Sequence, residues 1–214
     1  NVTLLIVVSI YAFYGLLDDV IDVGRILKVI FPLVFCLPLS YVVSPESVTV
    51  PFFGEYNDLN NGYYGVTAND FIRYAILPVY VMVVSNLVNM NSGFNGLQTG
   101  LSNILLITLV AVSIFDNSIN YLLLPVSLLG SSLPLWYYNK FPARIFEGNV
   151  GALSTGACIG IYIVIQEYYF LGIIILFPHI IDFLLFIFLK ISKRDFVKFG
   201  YIDDEGNIKS PNPS

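Results

Sequence analysis

Charged side chains are scarce in this sequence. Asp, Glu, Lys and Arg make up 12% of its 214 residues, whereas hydrophobic residues make up 57%. The mean hydropathy is +0.78, and the apolar residues form long blocks instead of the 3.6-residue alternation of a soluble amphipathic helix. Blocks of about 20 apolar residues can cross a membrane as helices, in which each backbone group bonds internally. We therefore predict an all-α, polytopic transmembrane helix bundle.

Basic residues and cysteines are few as well. The net charge of −5 argues against a nucleic-acid partner, because a phosphate backbone is bound by clustered Lys and Arg side chains. Cys36 and Cys158 lie in different apolar blocks, which is typical of small core residues and not of a disulfide or metal site. Because the chain opens at Asn1 inside an apolar block, we expect an N-terminally truncated protein.

Seven spans are predicted, at about residues 2–17, 27–43, 70–88, 101–115, 120–138, 150–166 and 169–189. Residues 1–189 then form the membrane domain and residues 190–214 a polar tail. With alternating spans, all basic residues except Arg73 fall on one side, namely Arg25, Lys28, Lys140, Arg144, Lys190, Lys193, Arg194, Lys198 and Lys209. The positive-inside tendency makes that side cytosolic.

The longest predicted loop on the opposite side is residues 44–69. Alternating β-branched and aromatic residues flank the pair Asn61–Gly62 in this loop. Such a pair between two alternating segments is typical of a tight β-hairpin. We predict a small external hairpin with a structural role.

Charge gathers at the end of the first span, in the stretch LLDDVIDVGRILK. It contains Asp18, Asp19, Asp22 and Lys28. Charges at membrane depth are costly, so clustered ones often mark function. Carboxylates close to water suit Mg²⁺, which takes one or two carboxylates together with water and substrate phosphates. The alternative, a solvated helix end, remains open from this loop alone.

A second polar loop, SNLVNMNSGFNGLQTG, repeats Asn and Gly from residue 85 to residue 100 and includes Asn86, Asn89, Asn95 and Gly96. Glycines let a backbone approach a ligand closely, and Asn amides both donate and accept hydrogen bonds. A neutral ligand-reading loop and an ordinary interhelical turn both fit this composition.

The third polar loop is FPARIFEGNVGALSTG, residues 141–156, where Arg144 precedes a glycine-rich helix start. Free N–H groups and the positive end of the helix dipole at such a start suit a phosphate or a phosphate-bound metal, although an ordinary capped helix start is the alternative. All three loops fall on the predicted cytosolic face.

His179 and Asp182 lie three residues apart within the last predicted span, in FPHIIDFLLF. Ionisable groups in a span usually face the bundle interior or a water-filled cavity. A buried structural pair and a substrate-facing role both remain open.

The three polar loops, taken in order, resemble those of the polyprenyl-phosphate N-acetylhexosamine 1-phosphate transferases. The resemblance is closest to the eukaryotic and archaeal branch that makes dolichyl-diphosphate-linked N-acetylglucosamine. The segments GLLDDVIDVGRILK, NLVNMNSGFNGLQTG and FPARIFEGNVGALSTG carry it, with a similar hydrophobic layout over about residues 10–190. It implies transfer of a sugar 1-phosphate from a UDP-sugar to a polyprenyl phosphate, with release of UMP. It also implies a need for Mg²⁺, with Mn²⁺ as an alternative ion.

The resemblance also implies roles for individual residues. Asp18 and Asp19 resemble the family's acidic pair, which serves the metal or orients the acceptor phosphate, and Asn89 resembles its catalytic-region asparagine. Lys28 resembles its phosphate-binding lysine, and Asn95 and Gly96 fall where the family reads uridine. The predicted substrate-binding residues are Lys28, Asn86, Asn95, Gly96, Arg144, His179 and Asp182.

This chain departs from the family at one metal position. Where the family usually has Gly-Asp, with the Asp as a metal ligand, this chain has Gly148–Asn149. An Asn oxygen can still face Mg²⁺, but the lost formal charge weakens a site for a hard cation. The neighbouring Glu147 is a candidate compensation. The predicted metal set is Asp18, Asp19 and Asn149.

The function implied is transfer of N-acetylglucosamine 1-phosphate from UDP-N-acetylglucosamine to dolichyl or another polyprenyl phosphate, which begins protein N-glycosylation. We expect the enzyme in an archaeal plasma membrane, or in the endoplasmic reticulum membrane of a eukaryote, with a cytosolic active site. Membrane lipid and a second copy of the chain are further expected partners. Two alternatives stay open: an undecaprenyl-phosphate sugar 1-phosphate transferase for cell-envelope glycans, and a non-catalytic membrane scaffold or transporter.

Overall fold

The computed structural model describes residues 2–21, 23–24, 26–43 and 67–192, and the backbone of four short strands at residues 48–50, 54–56, 201–202 and 208–209. These residues are almost entirely helical, which confirms the predicted helical architecture. The chain divides into two compact units, Asn1–Phe177 and Pro178–Ser214.

Among the described residues, eight helices lie in the first unit. They are α1 Val2–Ile21, α2 Leu27–Phe35, α3 Ala68–Phe71, α4 Leu77–Met90, α5 Leu97–Phe115, α6 Leu123–Asn139, α7 Gly148–Ile165 and α8 Tyr169–Ile175. A 3₁₀ turn at Leu37–Tyr41 follows α2, and a π-helical segment at Ile72–Ile76 joins α3 to α4. Helix α9, Phe177–Ile191, begins at the boundary and continues into the second unit.

Two antiparallel strand pairs accompany the helices. Strand β1 Val48–Val50 pairs with β2 Gly54–Tyr56, and β3 Tyr201–Ile202 pairs with β4 Ile208–Lys209. The predicted external loop thus contains paired strands, but β1 and β2 both precede Asn61–Gly62, which lies outside the described residues. The predicted hairpin around that pair is not confirmed.

Within the described ranges, four helical stretches are long and apolar enough to cross a membrane: Val2–Ile21, Ala68–Met90, Leu97–Phe115 and Gly148–Ile165. Helices α8 and α9 add a fifth if they form one broken span. The helices in the predicted spans 27–43 and 120–138 are shorter than the four long stretches. The first is the short apolar helix Leu27–Tyr41, and the second is α6, which has 17 residues. The polytopic helical prediction is confirmed, whereas the number of seven spans is not.

Helix α7 is the most buried of the four long stretches and contacts both α1 and α4. Glycines make these contacts close. A Cβ added to Gly156 would lie 2.6 Å from the Cα of Ser85 on α4, and one added to Gly15 on α1 would collide with the carbonyl of Asn149. Small residues are the usual means by which membrane helices approach each other. This packing fixes the start of α7 against the end of α1.

The apolar residues divide between an interior and an outward surface. Tyr11 is fully buried, and its hydroxyl donates to the Pro32 carbonyl at 2.7 Å, which ties α1 to α2. Cys36 and Cys158 are buried, as predicted for core residues, and both thiols are free. Outward-facing apolar side chains include Ile104 and Phe115, which are 61% and 88% exposed. Extensive exposed apolar surface is typical of membrane contact.

Gly156→Ala is expected to destabilise the bundle, because the new methyl group would lie 2.6 Å from the Ser85 backbone. Overpacking of this kind costs about 1–3 kcal/mol. Gly130→Ala on α6 is the matched control, since nothing lies within 4 Å of its Cβ position and Ala favours a helix. Thermal unfolding in detergent measures both variants. Equal midpoints would contradict the close contact between α4 and α7.

Candidate active site

Three loops meet at one end of the first unit: the end of α1, the connection between α4 and α5, and the residues before α7. Together with Asn139 at the end of α6 they line a cavity of about 310 Å³. These are the three polar loops singled out from the sequence. The lining residues are Asp19, Ser92, Gly93, Phe94, Gln98, Asn139, Phe146, Glu147, Gly148 and Asn149.

Asp18 is buried behind the cavity and holds three elements together. Its Oδ1 accepts from the Lys28 ammonium at 2.9 Å and from the Val23 backbone N–H at 2.9 Å. Its Oδ2 accepts from the Nδ2 of Asn149 at 2.7 Å. Because a carboxylate has about four acceptor positions, three donors leave little of Asp18 for a ligand. Asp18 therefore joins the ends of α1, α2 and α7.

Asp19 is exposed, lines the cavity and contacts the N-terminus of α7. Its Oδ1 accepts from the Asn149 backbone N–H at 3.1 Å, and its Oδ2 lies 3.4 Å from the Val150 nitrogen. Gly148 has a φ of +64°, and a Cβ there would lie 2.6 Å from the Asp19 Oδ2. Only glycine allows this approach. Asp19 is thus the member of the acidic pair that a ligand can reach.

Glu147 immediately precedes α7 and also lines the cavity. Its Oε1 is buried and has no hydrogen-bond partner among the described residues. Burial raises the pKa of this carboxyl from 4.5 to about 7, because desolvation disfavours the charged form. The cavity therefore contains a second carboxyl group whose charge has no compensating hydrogen bond at that oxygen.

Asn139 holds the other two loops in place. Its Oδ1 accepts from the Gly96 N–H at 3.0 Å and from the Thr99 hydroxyl at 2.9 Å, and its Nδ2 donates to the Ile145 carbonyl at 2.8 Å. Sequence reasoning missed this residue, because a single Asn at the end of an apolar span forms no motif.

Gln98 is a second residue that the sequence did not single out, although it lies in the quoted NGLQTG segment. It is 2% exposed and lines the cavity. Its Nε2 lies 3.3 Å from the Ser102 hydroxyl, while its Oε1 has no partner among the described residues.

The asparagine-rich loop contributes less directly than predicted. Asn86 donates through Nδ2 to the carbonyls of Met82 at 2.9 Å and Lys28 at 3.3 Å, and so connects α4 to α2. Asn89 accepts from the Ser92 hydroxyl at 3.3 Å, and Asn95 is exposed. None of these three side chains lines the cavity. Gly96 has a φ of +69° beside Lys140 and directly precedes α5. Substrate contacts by these residues stay predictions.

Arg144, in the first unit, is not among the residues that line the cavity. Arg144 is exposed, and its backbone N–H donates to the Tyr138 carbonyl at 2.8 Å. His179 and Asp182 lie on α9 in the second unit, where His179 is buried and Asp182 exposed. Asp22 lies outside the described residues. The predicted substrate-binding roles of Arg144, His179 and Asp182 stay predictions.

The cavity is lined by oxygen atoms that can act as ligands of a hard cation. No three His, Cys, Asp or Glu side chains cluster as a metal site within the part of the chain that the structure describes, but Mg²⁺ needs only one or two carboxylates when phosphates and water complete its shell. Asp19 meets that requirement. Asp18 and Asn149, the other two predicted metal ligands, bond to each other at 2.7 Å, and their contact with an ion stays a prediction.

Long apolar helices with a polar cavity at one end of the bundle define an integral membrane protein with a candidate site for a polar ligand. The chain matches glycosyl transferase family 4 over residues 1–167, and it belongs to that family.

Curated relatives with similar sequences occur in archaea and bacteria. One relative is a provisionally named UDP-N-acetylglucosamine–dolichyl-phosphate N-acetylglucosaminephosphotransferase of Saccharolobus solfataricus. It is 31% identical to this chain over 200 residues, and the matched region covers 92% of this chain and 58% of the relative. A protein of the same provisional name from Sulfolobus acidocaldarius is 30% identical over 97% of this chain and 61% of its own length. A phospho-N-acetylmuramoyl-pentapeptide-transferase of Rubrobacter xylanophilus is 27% identical over 72% of this chain and 49% of its own length. The chain thus spans about half to three fifths of these relatives.

Glu147→Gln is expected to remove a pH-dependent loss of stability. Because the folded pKa of about 7 lies above the ordinary value of 4.5, the stability that this group contributes is complete below pH 4.5 and is lost as the pH rises through 7. In metal-free buffer the wild type should lose on the order of 1–3 kcal/mol relative to the variant between about pH 5 and pH 8. Thermal unfolding across this range measures the difference, and parallel curves would contradict it.

Proposed function

We propose that this chain is the catalytic membrane part of an enzyme that transfers N-acetylglucosamine 1-phosphate from UDP-N-acetylglucosamine to dolichyl phosphate and releases UMP. This reaction begins the lipid-linked oligosaccharide for protein N-glycosylation. The observation that carries the proposal is the convergence of the three polar loops on one cavity, where Asp19 is open beside the N-terminus of α7. The names of the two archaeal relatives support the same substrates.

The reaction brings together two anionic substrates, one soluble and one in the lipid. An oxygen of the lipid phosphate attacks the phosphorus nearer the sugar, and the bond from that phosphorus to UMP breaks. Catalysis of this kind depends on positioning and on compensation of phosphate charge. Mg²⁺, when bound, supplies part of that compensation on the diphosphate oxygens. We place both substrates at the cavity, which lies at the end of the long helices.

The residues at the cavity then have separate roles. Lys28 is 31% exposed while it pairs with Asp18, and its positive charge attracts a phosphate. Asp18 positions Lys28 and Asn149, and Asp19 faces the reacting groups. The N–H groups of Asn149 and Val150 at the start of α7 donate to the Asp19 carboxylate and hold it at the cavity.

The nucleotide base has a suitable site in the same cavity. Phe94 and Phe146 line it. Aromatic rings stack on bases. We place the uracil of the donor between these side chains.

The topology proposed for the protein keeps all seven crossings, including the shorter helices α2 and α6, and places the cavity on the cytosolic side. The support is that Lys28, Lys140 and Arg144 lie at the cavity end of the bundle, as the positive-inside tendency requires. The same orientation presents the cavity to the cytosolic nucleotide sugar.

Asp19→Asn is expected to lower UMP release by roughly 100-fold or more, because it removes the open carboxylate from the reacting phosphates. The assay uses full-length protein in lipid with UDP-N-acetylglucosamine, dolichyl phosphate and Mg²⁺. Asp116→Asn is the matched control, since Asp116 is exposed at the far end of α5. Release only with undecaprenyl phosphate would favour the cell-envelope alternative, and no release with any donor or carrier would favour a scaffold or transporter.

Cysteine labelling tests the topology. Asn95 and Asn120 are exposed in the loops before and after α5, and the natural cysteines are buried, which keeps background labelling low. In sealed vesicles a membrane-impermeant maleimide should label Asn95→Cys from the cytosolic side and Asn120→Cys from the opposite side. Labelling of both from one side would contradict a membrane-crossing α5, and the reverse pattern would contradict the orientation.

A further inference from the structure

Two carboxyl groups share the cavity wall on either side of Gly148. Asp19 and Glu147 both line the cavity. Glu147 is bonded to Gly148, and a Cβ on Gly148 would lie 2.6 Å from the Oδ2 of Asp19. The two acids therefore line the same cavity, with the Gly148 backbone between them.

The Glu147 side chain folds over the first turn of α7. A Cβ added to Gly151, one turn further on, would lie 2.6 Å from the Cβ of Glu147 and 2.9 Å from its Oε2. The Oε1 is buried and has no hydrogen-bond partner among the described residues. A buried carboxyl oxygen normally has a partner. The position of Glu147 beside an open cavity indicates that its partner is a ligand.

A second buried oxygen at the cavity points the same way. Gln98 is 2% exposed, lines the cavity, and leaves its Oε1 unpartnered within the described part of the chain. Hard divalent cations prefer amide and carboxylate oxygens as ligands, and the waters bound to such cations donate hydrogen bonds to the same oxygens. The cavity thus presents acceptor oxygens from α5 and from the start of α7.

Asn149 has a different task in this arrangement. Its Nδ2 donates to the Oδ2 of Asp18 at 2.7 Å, and a carboxylate at position 149 would instead place two like charges at that distance. The neutral amide therefore stabilises the buried Asp18, which in turn pairs with Lys28. The amide orders the residues behind the cavity.

We infer that Glu147 and Asp19 together bind a divalent cation of the Mg²⁺ type in this cavity, and that Asn149 positions Asp18 instead of ligating the ion. The inference rests on the proposed function for the phosphates that complete the ion's shell. The second metal-binding carboxylate is then that of Glu147, which directly precedes Gly148, whereas residue 149 directly follows it.

Binding of Mn²⁺ to the full-length protein in detergent, without nucleotide or lipid carrier, tests this assignment by electron paramagnetic resonance. Glu147→Gln and Asp19→Asn should each weaken Mn²⁺ binding by roughly tenfold or more, as loss of a ligand or its close support does. Glu147→Asp keeps the charge and should bind with an intermediate Kd. Asp116→Asn, which removes one charge at the far end of α5, should leave the Kd unchanged. Asn149→Ala should weaken binding less than Glu147→Gln does.

Unchanged Mn²⁺ affinity in folded Glu147→Gln, or no binding by the wild type, would overturn the inference. A larger loss with Asn149→Ala than with Glu147→Gln would overturn it as well, because Asn149 would then be the ligand. If Glu147→Gln does not fold, wild-type affinity in Glu147→Ala or a wild-type Kd in Glu147→Asp decides against it.

UMP release is measured separately. Glu147-dependent Mn²⁺ binding without UMP release contradicts the proposed function alone, and UMP release with Mn²⁺ affinity independent of Glu147 contradicts the inference alone.

Discussion

The ion pair and hydrogen bonds of the buried Asp18 carboxylate are the interactions on which the rest of the candidate site depends. A buried charge at the end of a membrane helix is costly unless it is paired and hydrogen-bonded. Asp18 meets this condition through Lys28 on α2, the Val23 backbone and Asn149 on α7. Removing one partner from a buried ion pair costs about 3–5 kcal/mol. The same bonds therefore stabilise the bundle end and fix the residues around the cavity.

Close helix packing supplies the complementary constraint. Gly15 and Gly156 let α7 approach α1 and α4 so closely that its first turn has little freedom. In that position its backbone N–H groups face Asp19. The position of the reactive end of the molecule is thus set by small residues on the membrane helices as much as by the polar loops.

The sequence predicted the parts of the site that form local motifs. The acidic pair, Lys28 and Asn149 fall in polar stretches between apolar blocks, and the roles predicted for them follow from the resemblance of these stretches to the family. Asn139 and Gln98 could not, since their importance comes from contacts between elements distant in the chain. Apolar composition likewise predicted membrane helices, but the lengths of α2 and α6 depend on tertiary packing that hydropathy does not describe.

The left-handed backbone at Gly148 has a consequence for how relatives of this chain are recognised. A residue with a φ of +64° turns the chain so that the residues before and after it border the same cavity. A search pattern that requires an acid directly after this glycine would discard a chain in which the acid precedes it. A pattern that fixes the glycine and accepts an acid on either flank describes the geometry, and it would group proteins by the shape of the backbone instead of by one letter.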